Sequence, residues 1–173
     1  MKRITAGLAM AFGSLVLVSS SASAQRTVAI GVSGGLSVPT GTMAESQVSG
    51  FHVGGHVNLS PASLPFEILL DLTIHNFDGN MDQPSPLDFR SVGVSGNAAY
   101  VFPGADMRPY LLGGVGMYFG KPDIAGADNE SEFGFDVGGG MRFVLSGLTS
   151  FIQVRANFVG DRTFVPISFG ILF

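Results

Sequence analysis

The chain contains no cysteine and no tryptophan, and only 9 of its 173 residues are lysine or arginine. The absence of cysteine excludes the disulfides that hold many small secreted domains together, so the fold must gain its stability in another way. With 13 acidic residues, the formal net charge is −4 at pH 7. This balance excludes the basic face that nucleic-acid binding requires, and we expect no nucleic-acid partner.

The first 24 residues have the pattern of a cleaved signal peptide. Lys2 and Arg3 precede an apolar run over residues 4–18, and the small residues Ala22-Ser23-Ala24 provide a cleavage site. The apolar run is shorter than the ~20 residues that a membrane-spanning helix needs, which favours cleavage over a helical anchor. We therefore expect the mature chain to begin at Gln25 and residues 25–173 to form a single domain.

Eight segments of the remaining sequence alternate between large apolar side chains and small or polar ones. In the last segment, Val165, Ile167, Phe169, Ile171 and Phe173 share one face. A period of two residues indicates a β-strand, and a strand crosses a bilayer in about 9–11 residues with alternate side chains turned to lipid. The pattern predicts an all-β fold, an eight-stranded antiparallel up-and-down transmembrane barrel. The predicted strands cover residues 27–38, 50–60, 66–76, 89–102, 108–119, 132–144, about 152–158, and 165–173.

The connectors between these segments alternate in length. Residues 61–65, 103–107 and 145–148 form short turns, whereas residues 39–49, 77–88 and 120–131 form long polar loops. Membrane barrels have short periplasmic turns and longer external loops. The three long loops are therefore predicted to lie outside the cell, where an extracellular partner could bind them. Residues 160–163 fall on the same side although they are short.

These features resemble the small OmpA/OmpX-type outer-membrane barrels of Gram-negative bacteria. The resemblance rests on the Gly-rich first strand with Val38-Pro39-Thr40-Gly41, the segment 108–116, and the ending 167–173. It implies a bacterial outer-membrane location among lipid and lipopolysaccharide, and we expect a monomer. It also implies that Phe169, Ile171 and Phe173 form the signal read by the barrel-assembly machinery. The peptidoglycan-binding domain of larger members is not expected, and the aromatic belt would be mostly Phe with Tyr100, Tyr110 and Tyr118.

A soluble lipocalin-like barrel is the structural alternative, because the alternation does not say which face is inside. Such a barrel would place the large apolar side chains within an interior only just wide enough to be filled by side chains. Its outer face would then be Gly, Ser, Ala and Asn with few charges, which suits a soluble surface poorly. The membrane arrangement is therefore favoured. In strand five both faces are apolar, and we favour Leu111, Val115, Met117 and Phe119 as outward.

In the membrane arrangement, several charged side chains point into the barrel. An unpaired buried charge is costly, so these groups are predicted to pair and to fill the lumen. Small inward residues on strands one, four and six leave a narrow channel or a small-ligand cavity as alternatives. The predicted lumen network consists of Glu67, Asp71, Asp136, Arg142, Arg155 and His56, with His52, His75 and Gln153 also inward.

The histidines do not have the spacing of a metal site. On a strand, His52 and His56 would lie about 13 Å apart, so no metal and no cofactor is predicted. Lipid A deacylases with this kind of barrel use a Ser-His-Glu arrangement on the lipid-facing wall, and no such nucleophile arrangement is evident here. We expect no enzymatic activity, and a structural or surface-interaction role. A transport barrel and a lipid-modifying enzyme remain the functional alternatives.

Overall fold

The computed structural model describes residues 28–82, 88–122 and 130–173. The predicted signal peptide, the expected mature start at Gln25, and parts of the second and third long loops lie outside these described residues. Within them, no helix is both long enough and apolar enough to cross a membrane.

Eight antiparallel strands close into a barrel, as the alternation predicted. Each strand pairs with its neighbour in sequence, and the first also pairs with the last, so the sheet has no free edge. The strands are β1 (Val28–Thr40), β2 (Gly50–Leu59), β3 (Glu67–Phe77), β4 (Phe89–Val101), β5 (Met107–Pro122), β6 (Glu130–Leu145), β7 (Leu148–Val159) and β8 (Arg162–Leu172), with one short helix α1 (Met43–Ser46) after β1.

The large apolar side chains lie on the outside of the barrel. Leu36 is 60% exposed and Phe133 is 63% exposed, whereas His75 and Asp136 are buried at 1% and 2%. This facing is opposite to that of a soluble barrel, so the lipocalin-like alternative is wrong. On β5, the outward side chains are Leu111, Val115, Met117 and Phe119, as favoured from the sequence.

Two of the three tyrosines are not where the sequence predicted them. Tyr110 and Tyr118 were expected in an aromatic belt at the membrane interface, but both lie inside the barrel and are 3% exposed. They share the strand face of Leu112, and each hydroxyl finds a polar partner in the lumen. Tyr100 does lie on the outer wall, with its ring 5.0 Å from that of Phe102.

The two ends of the barrel differ, and we call them the loop end and the turn end. At the turn end, Ser146 and Gly147 join β6 to β7 with φ angles of 51° and 82°. This left-handed pair is the geometry that a two-residue hairpin turn requires. At the loop end, Gly41 has a φ of 60° and turns the chain from β1 into α1, an element that the sequence did not predict.

Candidate functional site: the lumen and the loop end

The middle of the lumen is organised around the carboxylate of Asp71 on β3. His56 on β2 is its direct cross-strand partner, and His56 Nδ1 lies 2.7 Å from Asp71 Oδ1. Arg155 Nη1 on β7 donates to Asp71 Oδ2 at 2.8 Å, and Asn97 Nδ2 on β4 donates to the same oxygen at 3.0 Å. Four strands thus meet at one buried carboxylate, because each places an inward position at the same height.

A second carboxylate, Asp136 on β6, completes this group. Arg155 Nη1 lies 3.7 Å from Asp136 Oδ2, so one guanidinium faces both carboxylates. The Tyr118 hydroxyl donates to Asp136 Oδ1 at 2.5 Å and accepts a bond from Asn157 Nδ2 at 3.3 Å. The structure therefore brings together Asp71, Asp136, Arg155 and His56, all at most 6% exposed.

Glu67 and Arg142 form a separate pair nearer the turn end. Glu67 Oε2 lies 2.7 Å from Arg142 Nη1, and the Arg142 guanidinium lies 5.1 Å from the centre of the Tyr110 ring. Gln153 connects this pair to the middle of the lumen. With its amide oxygen facing Arg155, it accepts a bond from Arg155 Nη2 at 2.9 Å and donates to the Tyr110 hydroxyl at 3.0 Å.

The other two histidines lie above the Asp71 group, towards the loop end. The Ser37 hydroxyl is 3.0 Å from His52 Nδ1 and 2.8 Å from His75 Nδ1. The far nitrogen of His52 is 2.9 Å from the Ser168 hydroxyl, whereas His56 bonds to Asp71. In the part of the chain that the structure describes, no group of three or more His, Cys, Asp or Glu side chains is placed to hold a metal ion.

An apolar cluster closes the loop end above these histidines, and we call it the loop-end plug. Met43 enters the mouth of the barrel from α1 and is only 4% exposed. The ring of Phe164 meets that of His75 edge to face at 4.9 Å, so the plug rests directly on the polar groups beneath it. The plug consists of Met43, Phe77, Tyr118, Val159 and Phe164, with Phe89 packed against it.

Backbone hydrogen bonds join the first two loops above the plug. Gln47 and Gly79 form an isolated antiparallel bridge, and the Asn80 amide donates to the Ser46 carbonyl at 2.9 Å. The Asn80 side chain donates to the Glu45 carbonyl at 3.2 Å. We call residues 42–48 and 78–80 the loop platform. A loop surface with this many internal bonds is largely formed before any partner arrives.

The loop platform is tied to the rest of the rim and is surrounded by acidic side chains. The Thr42 hydroxyl donates to the Asp161 carbonyl at 3.0 Å, which fixes the platform to the turn after β7. Arg162 lies 2.6 Å from Glu130 and stands over the Phe89 ring at 4.8 Å. Among the residues that the structure describes, the exposed acidic side chains at this end are Glu45, Asp78, Asp82, Asp88, Glu130 and Asp161.

Sequence reasoning missed three residues that matter to this site. Tyr118 donates to Asp136, Asn97 donates to Asp71, and Met43 fills the mouth of the barrel. The inward facing of Asn97 could be predicted from alternation, but its bond could not. A tyrosine flanked by outward Met117 and Phe119 is a usable signal for an inward Tyr118. No pattern in the loop 39–49 indicates that Met43 is buried.

The predicted assembly signal lies on the outer wall of β8, next to the seam with β1. Phe169 and Phe173 are 44% and 40% exposed. Backbone bonds between Ile30 and Phe173 close the seam, with the Phe173 amide donating at 2.7 Å. The last apolar side chains are therefore accessible from the lipid side of the closed barrel.

Comparison with known proteins places this barrel in a family. A family model described as outer membrane protein beta-barrel domain matches residues 10–162. Neisserial surface protein A is 17% identical and has a TM-score of 0.68, with 84% of this chain and 96% of that chain covered. No curated protein matches the chain by sequence.

Two further solved structures share the fold. The N-terminal barrel domain of Pseudomonas aeruginosa OprF is 12% identical, has a TM-score of 0.51, and covers 84% of this chain and 97% of that one. Ail of Yersinia pestis, in complex with the heparin analogue sucrose octasulfate, is 15% identical, has a TM-score of 0.50, and covers 84% and 96%. The predicted likeness to OmpA/OmpX-type barrels is confirmed, and the chain belongs to the outer-membrane β-barrel domain family of the bacterial outer membrane.

Proposed function

We propose that this protein is a non-catalytic outer-membrane barrel that presents its loop end as an interaction surface to a partner outside the cell. The observation that carries this proposal is the loop platform, in which two loops are bonded to each other and to the rim. Functional residues are commonly carried on loops that a rigid scaffold positions. Here the scaffold is a closed barrel, and the loops are themselves held in place.

The surroundings of the platform favour a basic partner. In the described part of the loop end there are six exposed carboxylates, of which one, Glu130, is paired with Arg162. Complementary charge raises the rate at which a partner finds its site and fixes its orientation. The crystal structure of Ail holds a heparin analogue, which supports an extracellular partner for this type of barrel. Because the rim of this chain is acidic, it favours a positively charged partner.

The lumen supports a closed barrel more than a channel. Eight strands leave an interior that side chains can fill, and here charged groups cross its middle while the loop-end plug covers its mouth. We therefore propose that the Asp71 group and the Glu67–Arg142 pair fill and stiffen the lumen. Planar-bilayer recording with the refolded protein should give no conductance steps; regular steps would favour the channel alternative.

The placement of the histidines speaks against the lipid-modifying alternative. All three histidines of the chain lie inside the barrel, at 2%, 6% and 1% exposure for His52, His56 and His75. Serines do contact them: Ser33 Oγ lies 2.7 Å from His56 Nε2, whose Nδ1 lies 2.7 Å from Asp71, and Ser37 contacts His52 and His75. Both serines meet these histidines inside the lumen and not on the lipid-facing wall. Expression in cells should therefore leave the mass of lipid A unchanged.

Three further parts of the proposal concern the path to the membrane and the state within it. We propose that residues 1–24 are removed as a signal peptide, and that Phe169, Ile171 and Phe173 are read by the barrel-assembly machinery. We also propose that the protein is a monomer surrounded by lipid and lipopolysaccharide. Mass spectrometry of the protein purified from membranes would test the first part, since a mature chain should begin at Gln25.

Binding of a defined cation tests the interaction surface. We would place the barrel in neutral-lipid nanodiscs and measure binding of fluorescent polylysine to wild type and to Asp78→Asn/Asp82→Asn/Asp88→Asn. The triple variant should bind several-fold more weakly. At about 0.1–0.15 M salt, an exposed carboxylate still attracts a lysine side chain that comes within about 8–10 Å of it. Asp106→Asn, which removes an exposed carboxylate at the turn end, is the matched control and should have little effect.

To measure how much the loop platform itself contributes to binding, a variant must disturb the platform and keep the charges. Asn80→Ala removes the side-chain bond to the Glu45 carbonyl and should weaken binding while leaving the charge unchanged. The proposal fails if Asp106→Asn reduces binding as much as the triple variant does. It also fails if the triple variant and Asn80→Ala both bind like wild type.

A further inference from the structure

The turn end contains an open cavity of about 420 Å³, on the opposite side of the barrel from the proposed interaction surface. This volume lies within the range of small-molecule sites, which combine apolar walls with a few polar groups. The polar groups here include Arg108, Arg142 and Glu67, and the apolar walls include Phe143 and Leu172. The cavity plays no part in the function proposed above.

Two arginines lie side by side on the wall of this cavity. Arg108 on β5 and Arg142 on β6 are cross-strand partners in the register of the sheet, and both line the cavity. Directly opposite residues on one face of a sheet have Cβ atoms about 4.5–5.5 Å apart, and like charges in that position destabilise the sheet. An anion lying between the two guanidinium groups would remove that repulsion.

The protein itself supplies a carboxylate to only one of the two. Glu67 lies 2.7 Å from Arg142 Nη1, and the Arg142 side chain is nearly buried, at 9% exposure. Among the residues that the structure describes, no carboxylate forms an ion pair with Arg108. Asp106 lines the same cavity from the exposed turn, but it does not pair with Arg108.

We propose that the turn-end cavity binds a small amphipathic anion. Its carboxylate or phosphate oxygens lie between Arg108 and Arg142, and its apolar part lies against Phe143 and Leu172. A guanidinium group presents parallel N–H donors that match two oxygens of such a head group. Because short turns lie on the periplasmic side of membrane barrels, the ligand enters from the periplasm.

Nuclear magnetic resonance of the arginine side chains tests this site directly. We would place the barrel in phosphatidylcholine nanodiscs and titrate it with hexanoate, with hexyl phosphate, and with hexylammonium, which has the same apolar part and the opposite charge. The Nε–H signals of Arg108 and Arg142 should shift saturably with at least one of the two anions and not with hexylammonium. The anion that binds more tightly identifies the head group.

A matched pair of variants locates the binding. Arg108→Gln should weaken anion binding about tenfold, as expected for loss of one hydrogen-bonded charged partner, while the Glu67–Arg142 pair stays intact. Arg90→Gln changes an exposed arginine on the outer wall, whose Nε donates to Asn76, and should leave binding unchanged. If Arg108→Gln does not fold, as judged by gel mobility, Arg108→Lys against Arg90→Lys makes the same comparison.

Three results would overturn the proposal. The first is the absence of a saturable shift up to about 10 mM of either anion, a very weak affinity for a built site. The second is an equal response to hexylammonium, which would mean that the apolar part simply enters the lipid. The third is an equal loss of binding in the Arg108 and Arg90 variants.

Discussion

The middle of the lumen and the loop end are both closed, but by opposite means. In the middle, charged and hydrogen-bonded groups on the strands meet at Asp71 and Asp136. At the loop end, apolar side chains close the mouth, and one of them, Met43, comes from a helix outside the sheet. The first region depends on each group having its partner, and the second depends on volume and shape.

This difference predicts how each region responds to damage. Removing one partner from a buried ion pair lowers the stability strongly, because the other charge stays buried without compensation. Replacing both partners by apolar side chains costs much less. Removing part of an apolar cluster leaves a cavity whose cost depends on how far the neighbours can relax. The strands that hold the Asp71 group cannot move closer, whereas α1 has loop on both sides. We therefore expect the largest effects in the middle of the lumen.

Arg155→Ala should have the largest effect on stability. It removes the guanidinium that faces both Asp71 and Asp136, so we expect a loss of about 3–5 kcal/mol. Urea unfolding in lipid vesicles, followed by gel mobility, measures this loss. Arg162→Ala is the control, because its pair with Glu130 is partly exposed and should cost at most about 1 kcal/mol. Equal losses in the two variants would contradict an electrostatic core in the lumen.

Met43→Ala should come next and should act mainly at the loop end. Truncating a buried methionine costs about 2–3 kcal/mol when the site relaxes in part, and Met43 is 4% exposed. Met81→Ala removes a methionine that is 84% exposed and should have almost no effect. Limited proteolysis of the loops, together with the urea midpoint, separates the two. If Met43 only shapes the loops, Met43→Ala should be cleaved faster than Met81→Ala while its urea midpoint stays unchanged.

Tyr118→Phe probes the boundary between the two regions, since this residue belongs to the plug and bonds to Asp136. The change keeps the ring and removes only the hydroxyl that donates to Asp136 at 2.5 Å. Loss of a hydrogen bond to a buried charged group costs about 1.5–3 kcal/mol. Tyr100→Phe, on the exposed outer wall, should stay within about 0.5 kcal/mol of wild type. The difference between the two urea midpoints measures the buried bond, and equal midpoints would mean that Tyr118 serves only as apolar volume.

The comparison also explains how much could be predicted from the sequence. Alternation fixes which strand residues point inward, so the eight strands and the inward positions of Asp71, Asp136 and Arg155 follow from the pattern. Register then decides which of them meet, and it depends on all eight strands together. The predicted strand bounds differ from the observed ones by a few residues. For example, β5 is predicted to end at residue 119 but extends to Pro122, because strand pairing continues beyond the part that lipid would cover.

The loop end was less predictable, for a physical reason. A loop has no period that links its sequence to a facing, so neither α1 nor the burial of Met43 could be inferred. Tyr110 and Tyr118 were misplaced because a tyrosine satisfies both a membrane interface and a buried hydrogen bond. The alternation of β5, with Leu111 and Phe119 outward, is the signal that places both tyrosines inward, but the acceptor that holds the Tyr118 hydroxyl, Asp136, lies on a different strand.

Glu130→Gln should have the smallest effect, although the contact it breaks is as short as those in the lumen. Arg162 Nη2 lies 2.6 Å from Glu130 Oε2, against 2.8 Å between Arg155 and Asp71. The Glu130 side chain is 52% exposed and that of Asp71 is 0% exposed, so water and salt compete for the first pair only. We expect a loss of at most about 1 kcal/mol.

Salt dependence makes this last comparison decisive. At ~1 M salt the screening length is about 3 Å, so the effect of Glu130→Gln on the urea midpoint should vanish, whereas that of Arg155→Ala should persist. A large, salt-independent loss in Glu130→Gln would mean that the rim pair is shielded from solvent. Buried ion pairs would then stabilise the loop end as they stabilise the middle of the lumen. The two regions would differ only in where they lie along the barrel.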